Sequence, residues 1–205
     1  MGRPRLIETE GILEAARATF LSEGVGATTG AIARRAGISE ATIFKRFPTK
    51  TDLFFAAMGF AEFDARQTIE SLRGEASARQ ELEAISLRFL EYLSKMVPVL
   101  TRLLAHPGFN AVELAEKVPE MPARVLVEAV AEYVASEQRD GRIGDCDPHA
   151  VAITVFGILH NFALLEHIGL LPKTGLSREQ LVRSFIQVLW NGIAPEEMRS
   201  ARTQT

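Results

Sequence analysis

The sequence predicts an all-α fold in two parts: a three-helix N-terminal domain containing a helix-turn-helix, then a larger C-terminal helical domain, with about nine helices in total. Three observations predict it. No segment sustains the β-branched alternation of a strand. Apolar residues recur instead at helical spacing, and N-caps, capping boxes, prolines and glycines punctuate the chain as helix boundaries do. The 205 residues are 47% hydrophobic and 24% charged, so a core can be buried without a disulfide or metal. The single cysteine, Cys146, has no partner in the chain, and the start MGRPRLIETE lacks the apolar run of a signal peptide. A reducing, cytoplasmic setting is the expectation.

The first helix is expected over about Leu6 to Glu23, with Ile12, Leu13, Ala16 and Phe20 on one face and Gly24 ending it. The second spans about Gly30 to Ala36 with Thr29 as N-cap, and stops at Gly37. The third starts at Ser39 and ends near Phe47, because Pro48 disfavours helical geometry in the residue before it. The fourth opens with the capping-box pattern Thr49-Lys50-Thr51-Asp52 and runs through Leu53, Phe54 and Met58. Gly74 marks a break. Helical patterns follow at about 77–96, 98–105, 122–139, 148–168 and 178–192. The last two have clear starts, Asp147-Pro148 and the box Ser177-Arg178-Glu179-Gln180, whereas 106–121 reads as a long connection or a broken helix. The division expected is residues 1–48 for the first domain and 49–205 for the second.

Net charge is −3, which on its own argues against a nucleic-acid binder, but its distribution says otherwise. Residues 1–50 hold eight Lys/Arg against five acids, an excess of three positive charges; the remainder holds fifteen against twenty-one, an excess of six negative. A basic head on an acidic body suits a chain that offers one end to a polyanion. The second and third helices are separated by a short turn at Gly37, where a left-handed conformation is needed. Ala33 is small where the helices must cross. Ile32, Ala36, Ile38 and Ile43 fall inward, and Arg34, Arg35, Glu40, Lys45 and Arg46 outward. This pattern fits a helix-turn-helix whose second helix enters the major groove. It also fits a plain helical hairpin with a solvated face.

From Ile12 to Leu53 the sequence resembles the DNA-binding domain of the tetracycline-repressor (TetR) family. The resemblance rests on Ile12-Leu13-Glu14-Ala15-Ala16, Phe20, Gly24, Thr28-Thr29, the run Ile32 to Ser39, Thr42-Ile43-Phe44, Phe47-Pro48, and Lys50 with Leu53-Phe54. It implies that Ser39, Glu40, Ala41, Thr42, Phe44, Lys45 and Arg46 face DNA, and that Thr29 and Lys50 meet phosphates at helix N-termini. Three positions depart from the commonest family pattern. Ala41 stands where glycine is frequent, Phe44 lacks the usual tyrosine hydroxyl, and Arg46 replaces a common histidine and brings a fixed charge able to take guanine bidentately. Glu40 either accepts from a cytosine amino group or caps its helix, and capping is the expectation. Arg3 and Arg5 form a short basic arm that either enters a minor groove or frays in solution.

The helix from Pro148 to His167 is apolar almost all round, so one face needs its own core and the other a partner. With the following helix it predicts a four-helix homodimer interface that includes Phe156, Phe162, Leu165, Phe185, Leu189 and Trp190. His160, Asn161, Glu166 and His167 interrupt the run, which argues against a membrane span. Two heads on a two-fold axis would read a palindromic operator in double-stranded DNA, and the resemblance makes repression the default. An unknown small-molecule effector is expected among the middle helices, at Phe89, Tyr92, Met96, His106, Asn110, Tyr133, His160 and Asn161, with a tilt of the fourth helix as the switch. The sequence lacks a nucleophile elbow, a phosphate loop, a His-Glu-x-x-His pattern and a Cys pair, so neither enzyme nor cofactor is expected. Asp145-Cys146-Asp147-Pro148-His149 could hold a metal but more simply serves a loop and a cap, so no metal site is expected.

Overall fold

The computed structural model describes residues 9–24, 26–60, 63–74, 76–105, 121–171 and 176–193. Among them all regular structure is helical: α1 Thr9–Glu23, α2 Thr29–Ala36, α3 Glu40–Phe44, α4 Lys50–Met58, α5 Ala65–Glu70, α6 Ala78–Leu104, α7 Pro122–Arg139, α8 Pro148–His167 and α9 Arg178–Ile193. The expected broken segment 106–121 lies, except for Met121, outside the described residues, as do Arg3, Arg5, His106 and Asn110.

Two compact units divide the chain, Met1–Glu62 with Pro98–Pro119, and Phe63–Val97 with Glu120–Thr205. The core of the first gathers Ile12, Ala16 and Phe20 of α1, Ile32 and Ala33 of α2, Ile43 of α3, and Leu53, Phe54 and Met58 of α4, all at most 4% exposed. Each large side chain sealed there is worth roughly 1.5–3 kcal/mol. Phe20 and Phe54 meet edge to face with ring centroids 5.1 Å apart, and the Arg17 Nε donates to the Ala57 carbonyl at 2.8 Å, so α1 and α4 are both packed and bonded. Leu103, near the end of α6, is 1% exposed and completes this core, with Val99 packed beside it.

In the second unit α7 and α8 pack along their lengths. The buried stripe of α8 is Val151, Ala152, Val155, Leu159 and Ala163, while Ile153 on its opposite side is 59% exposed. The expected starts are present: Asp147 accepts from the His149 and Ala150 N–H groups, and Ser177 and Gln180 exchange backbone-to-side-chain bonds.

Two boundaries differ from the sequence reading. Helices expected at 77–96 and 98–105 form one helix, α6, with Pro98 inside it. Proline removes a backbone bond and normally costs about 3 kcal/mol. Here Met96, Val97 and Leu103 are buried on both sides of it, and packing holds the helix through. Conversely, α4 stops at Met58, capped by Gly59 at φ 78°, and α5 restarts at Ala65 with Asp64 as N-cap.

Candidate nucleic-acid interface

The crossing of α2 and α3 is local chemistry. Gly37 sits at φ 70°, ψ 31°, and the Ile38 N–H donates back to the Ala33 carbonyl at 3.0 Å, which closes α2 and turns the chain. Ser39, extended at φ −88°, ψ 153°, caps α3 by accepting from the Thr42 N–H. The N-cap of α2 is Thr28, not Thr29 as expected. Thr28 has the extended backbone (φ −90°, ψ 147°) and accepts from the Ala31 N–H at 3.1 Å, leaving Thr29 as the first helical residue. α3 itself ends at Phe44 rather than near Phe47, though the Phe47 N–H still donates to the Ile43 carbonyl.

One side of α3 is sealed and the other open. Ile43 is 0% exposed and anchors the helix in the core. Ser39, Glu40, Ala41, Phe44, Lys45 and Arg46 are exposed, and Thr42 is half-buried with its hydroxyl 2.9 Å from that of Ser39. Arg34 and Arg35 are exposed on α2. Phe44, a large apolar side chain, is 43% exposed. The face thus carries cations, hydroxyls and an unsheltered ring, the set that contacts phosphates and base edges.

Glu40 departs from expectation. It does not cap α3, which Ser39 does. Its carboxylate Oε2 instead accepts from the Thr29 hydroxyl at 2.6 Å, across eleven residues, tying the first turn of α3 to that of α2. Lys50 opens α4 behind a capping box in which Asp52 accepts from both the Thr49 N–H (2.9 Å) and its hydroxyl (2.8 Å).

The effector candidates are not gathered in one place. Phe89, Tyr92 and Met96 are buried on α6, where Phe63 stacks on Tyr92 at 4.6 Å and meets Phe89 edge-on at 5.5 Å. Burial pushes the Tyr92 hydroxyl up. Tyr133 is buried elsewhere in the unit, and its hydroxyl lies 2.9 Å from a Glu81 carboxylate oxygen, to which it donates. His160 and Asn161 sit on the outer side of α8; Asn161 is exposed and His160 stacks on Phe156 at 5.6 Å, with partial burial pushing its pKa down. Of the expected interface residues, Phe156, Phe162, Leu165, Phe185 and Leu189 are half-buried, whereas Trp190, 6% exposed, is buried within the chain itself.

A buried ionic network escaped the sequence reading. Glu81 and Glu137 are 1% and 0% exposed. Arg142 donates to Glu81 at 2.7 Å and lies 2.9 Å from Glu137, while Arg73 donates to Glu137 at 3.1 Å. Burial drives Glu81 upward, but hydrogen bonds from Arg142, Tyr133 and the Gly74 N–H outweigh it and hold the carboxyl below its ordinary value. The signal available was an acid on each of two otherwise apolar helix faces. A cleft of about 280 Å³ between α5 and α7 borders this network, and its lining pairs internally, Arg66 with Glu132 and Arg73 with the Ser136 hydroxyl at 2.8 Å. Among the described residues no three His, Cys, Asp or Glu converge as metal ligands; Asp147 caps α8, and His149 lies 3.3 Å from Glu128.

With this geometry in place, comparison with known proteins is informative. The sequence pattern of "Bacterial regulatory proteins, tetR family" matches residues 12–57, the stretch that builds α1 through most of α4. Residues 12–57 thus carry the sequence pattern of a TetR-family N-terminal domain. The match falls on the helices that form and support the α2–α3 crossing. The nucleoid occlusion factor SlmA of Haemophilus influenzae (strain PittGG) is 28% identical over 128 residues, 61% of this chain and 58% of that relative. Similar folds include the transcriptional regulator FadR from Bacillus subtilis in complex with stearoyl-CoA (TM-score 0.62, 17% identity, 89% of this chain and 97% of that one). The flavonoid-responsive regulator FrrA is another (TM-score 0.61, 22% identity, 91% and 96% covered). The likeness in fold thus extends over the helices that follow the matched segment.

Proposed function

We propose that this chain acts in the cytoplasm as a homodimer on a palindromic operator, represses transcription there, and is released by an apolar small molecule. The observation that carries the reading is the outward set on α3, Glu40, Ala41, Phe44, Lys45 and Arg46, exposed while Ile43 of the same short helix is sealed. Apolar side chains left open on α8 and α9, Ile153 at 59% and Val188 at 74% exposed, support a second copy as partner and with it a two-fold operator. That α8 is long and apolar enough to cross a bilayer is met by the same pairing, since its other side is already packed on α7. The effector's class is argued from the aromatic and thioether face of α6 and from the stearoyl-CoA and flavonoid named for two similar folds. Thr29, Ser39, Thr42 and Lys50 are proposed as phosphate and sugar contacts, Lys45 and Arg46 as contacts to base edges or phosphates.

Fluorescence anisotropy on a duplex enriched from a random pool by the purified protein tests this directly. Binding should weaken steeply with salt. Arg46→Ala and Lys45→Ala should each weaken it by roughly five-fold to a hundred-fold, about 1–3 kcal/mol for a lost base or phosphate contact. Unchanged affinity in both variants would remove α3 from the interface. The occlusion-factor relative supports a second reading, in which this chain too serves nucleoid occlusion. Chromatin precipitation across the genome separates the two, a promoter regulator giving few peaks near promoters and an occlusion factor giving many spread along the chromosome.

A further inference from the structure

We infer that Glu40 is an internal stand-in for a DNA phosphate, which occupies the first turn of α2 in the free protein and must leave before duplex can seat there. The inference rests on the DNA reading above and concerns how that face discriminates among sequences. The first turn of a helix presents unpaired N–H groups and positive potential, and anions collect there. In this structure an anion is already present. Glu40, the first residue of α3, folds back so that one carboxylate oxygen accepts from the Thr29 hydroxyl at 2.6 Å. The other lies over Gly30: a Cβ placed on that residue would stand 3.2 Å from Oε1 and 3.6 Å from the carboxyl carbon. The same point is 3.8 Å from Nη1 of Arg34. The absent side chain at Gly30 is therefore the space the carboxylate uses. Thr29, Gly30 and Arg34 form a small anion seat, and α3 fills it from within.

A phosphate cannot share that seat with a carboxylate. DNA of any sequence that approaches α2 must first displace Glu40, at the cost of its bond to Thr29. A displaced Glu40 at the start of α3 gains a new partner only where the groove offers a donor, the exocyclic amine of cytosine being the one suited to a carboxylate. Duplexes without that donor bear the displacement with no return. Glu40 would thus act as a specificity-determining residue chiefly by weakening non-operator binding.

The test measures binding of two 30-base-pair probes by anisotropy, a scrambled duplex and one enriched from a random pool by the wild-type protein. Glu40→Gln should bind the scrambled duplex roughly two- to five-fold more tightly, the size of a charge effect at a helix end. Its preference for the enriched duplex should fall correspondingly. Gly30→Ala keeps every charge but presses on the carboxylate, which must give by a few tenths of an ångström, and should move scrambled-duplex binding the same way by a smaller factor. In a Thr29→Val background both gains should shrink towards none, because the seat has lost its donor. If Glu40→Gln alone gains affinity, while Gly30→Ala does not and the Thr29 background changes nothing, the effect is general charge removal and the inference fails, with DNA binding intact. Weaker scrambled-duplex binding by Glu40→Gln also overturns it. Failure of the wild type to bind either probe would end the DNA reading and this inference together.

Discussion

Glu137 has no exposed surface, and its carboxylate is held by Arg73 at 3.1 Å and Arg142 at 2.9 Å, each about one-third exposed. Removing one member of a buried pair leaves the others uncompensated, which typically costs about 3–5 kcal/mol. Because both arginines keep contact with water, Glu137→Ala should lose roughly 2–3 kcal/mol in chemical denaturation, at or just below the bottom of that range. Glu81 makes the network pH-dependent. Its folded carboxyl is held below the usual value, so its stabilising contribution is complete above the unfolded carboxylate pKa and disappears as pH falls through the folded one. Melting temperature should therefore fall as the medium is acidified below about pH 4–5. Glu81→Gln should be less stable at neutral pH and show a shallower decline on acidification. A variant with the wild-type slope would mean that another carboxyl carries the effect. An acid on an apolar helix face is visible in the sequence, but its partners are not, because Arg142 and Glu81 are 61 residues apart and Tyr133 and Glu81 52, and no local pattern announces pairs of that separation.

The helices were read well where their signals are local. Gly37, Ser39, the Thr49–Asp52 box and Asp147 each act within four residues of the boundary they mark, and each is found doing so. Thr28 and Thr29 are chemically the same, and only the backbone conformation of Thr28 decides which one caps α2. Pro98 was misread as a break since the packing that overrides it comes from outside the helix. The pause at residues 59–64 was missed for the opposite reason, a single glycine in an otherwise apolar run being a weak signal. The shortness of α3 gives its cap unusual weight. Ser39→Ala should cost about 1 kcal/mol of stability. Since the lost bond holds the turn from which the recognition residues project, DNA affinity should fall more than melting temperature suggests. Equal affinity with lowered stability would show that α3 keeps its geometry without the cap.

For the whole chain the decisive property is what one copy leaves uncovered. Val188 and Ile153 are among the most exposed large apolar residues described, and both lie on the two final helices. Charge placed there should cost a monomer nothing in packing and a dimer a great deal. Ile153→Asp and Val188→Asp together should shift sedimentation from dimer to monomer at micromolar protein while each chain still melts cooperatively. A doubly substituted protein that remains dimeric would relocate the interface. Apolar periodicity around 148–167 made this surface legible in outline, but it could not tell Trp190, buried within the chain itself, from the half-buried Phe185 and Leu189 beside it. Leu103 bears on engineering. It arrives from the far end of a 27-residue helix to close the core around Phe20 and Leu53, so the DNA-reading module is not a contiguous cassette. Cutting after residue 62 would leave a leucine-sized hole, and a hybrid that carries this head on a foreign body will need to bring its own plug.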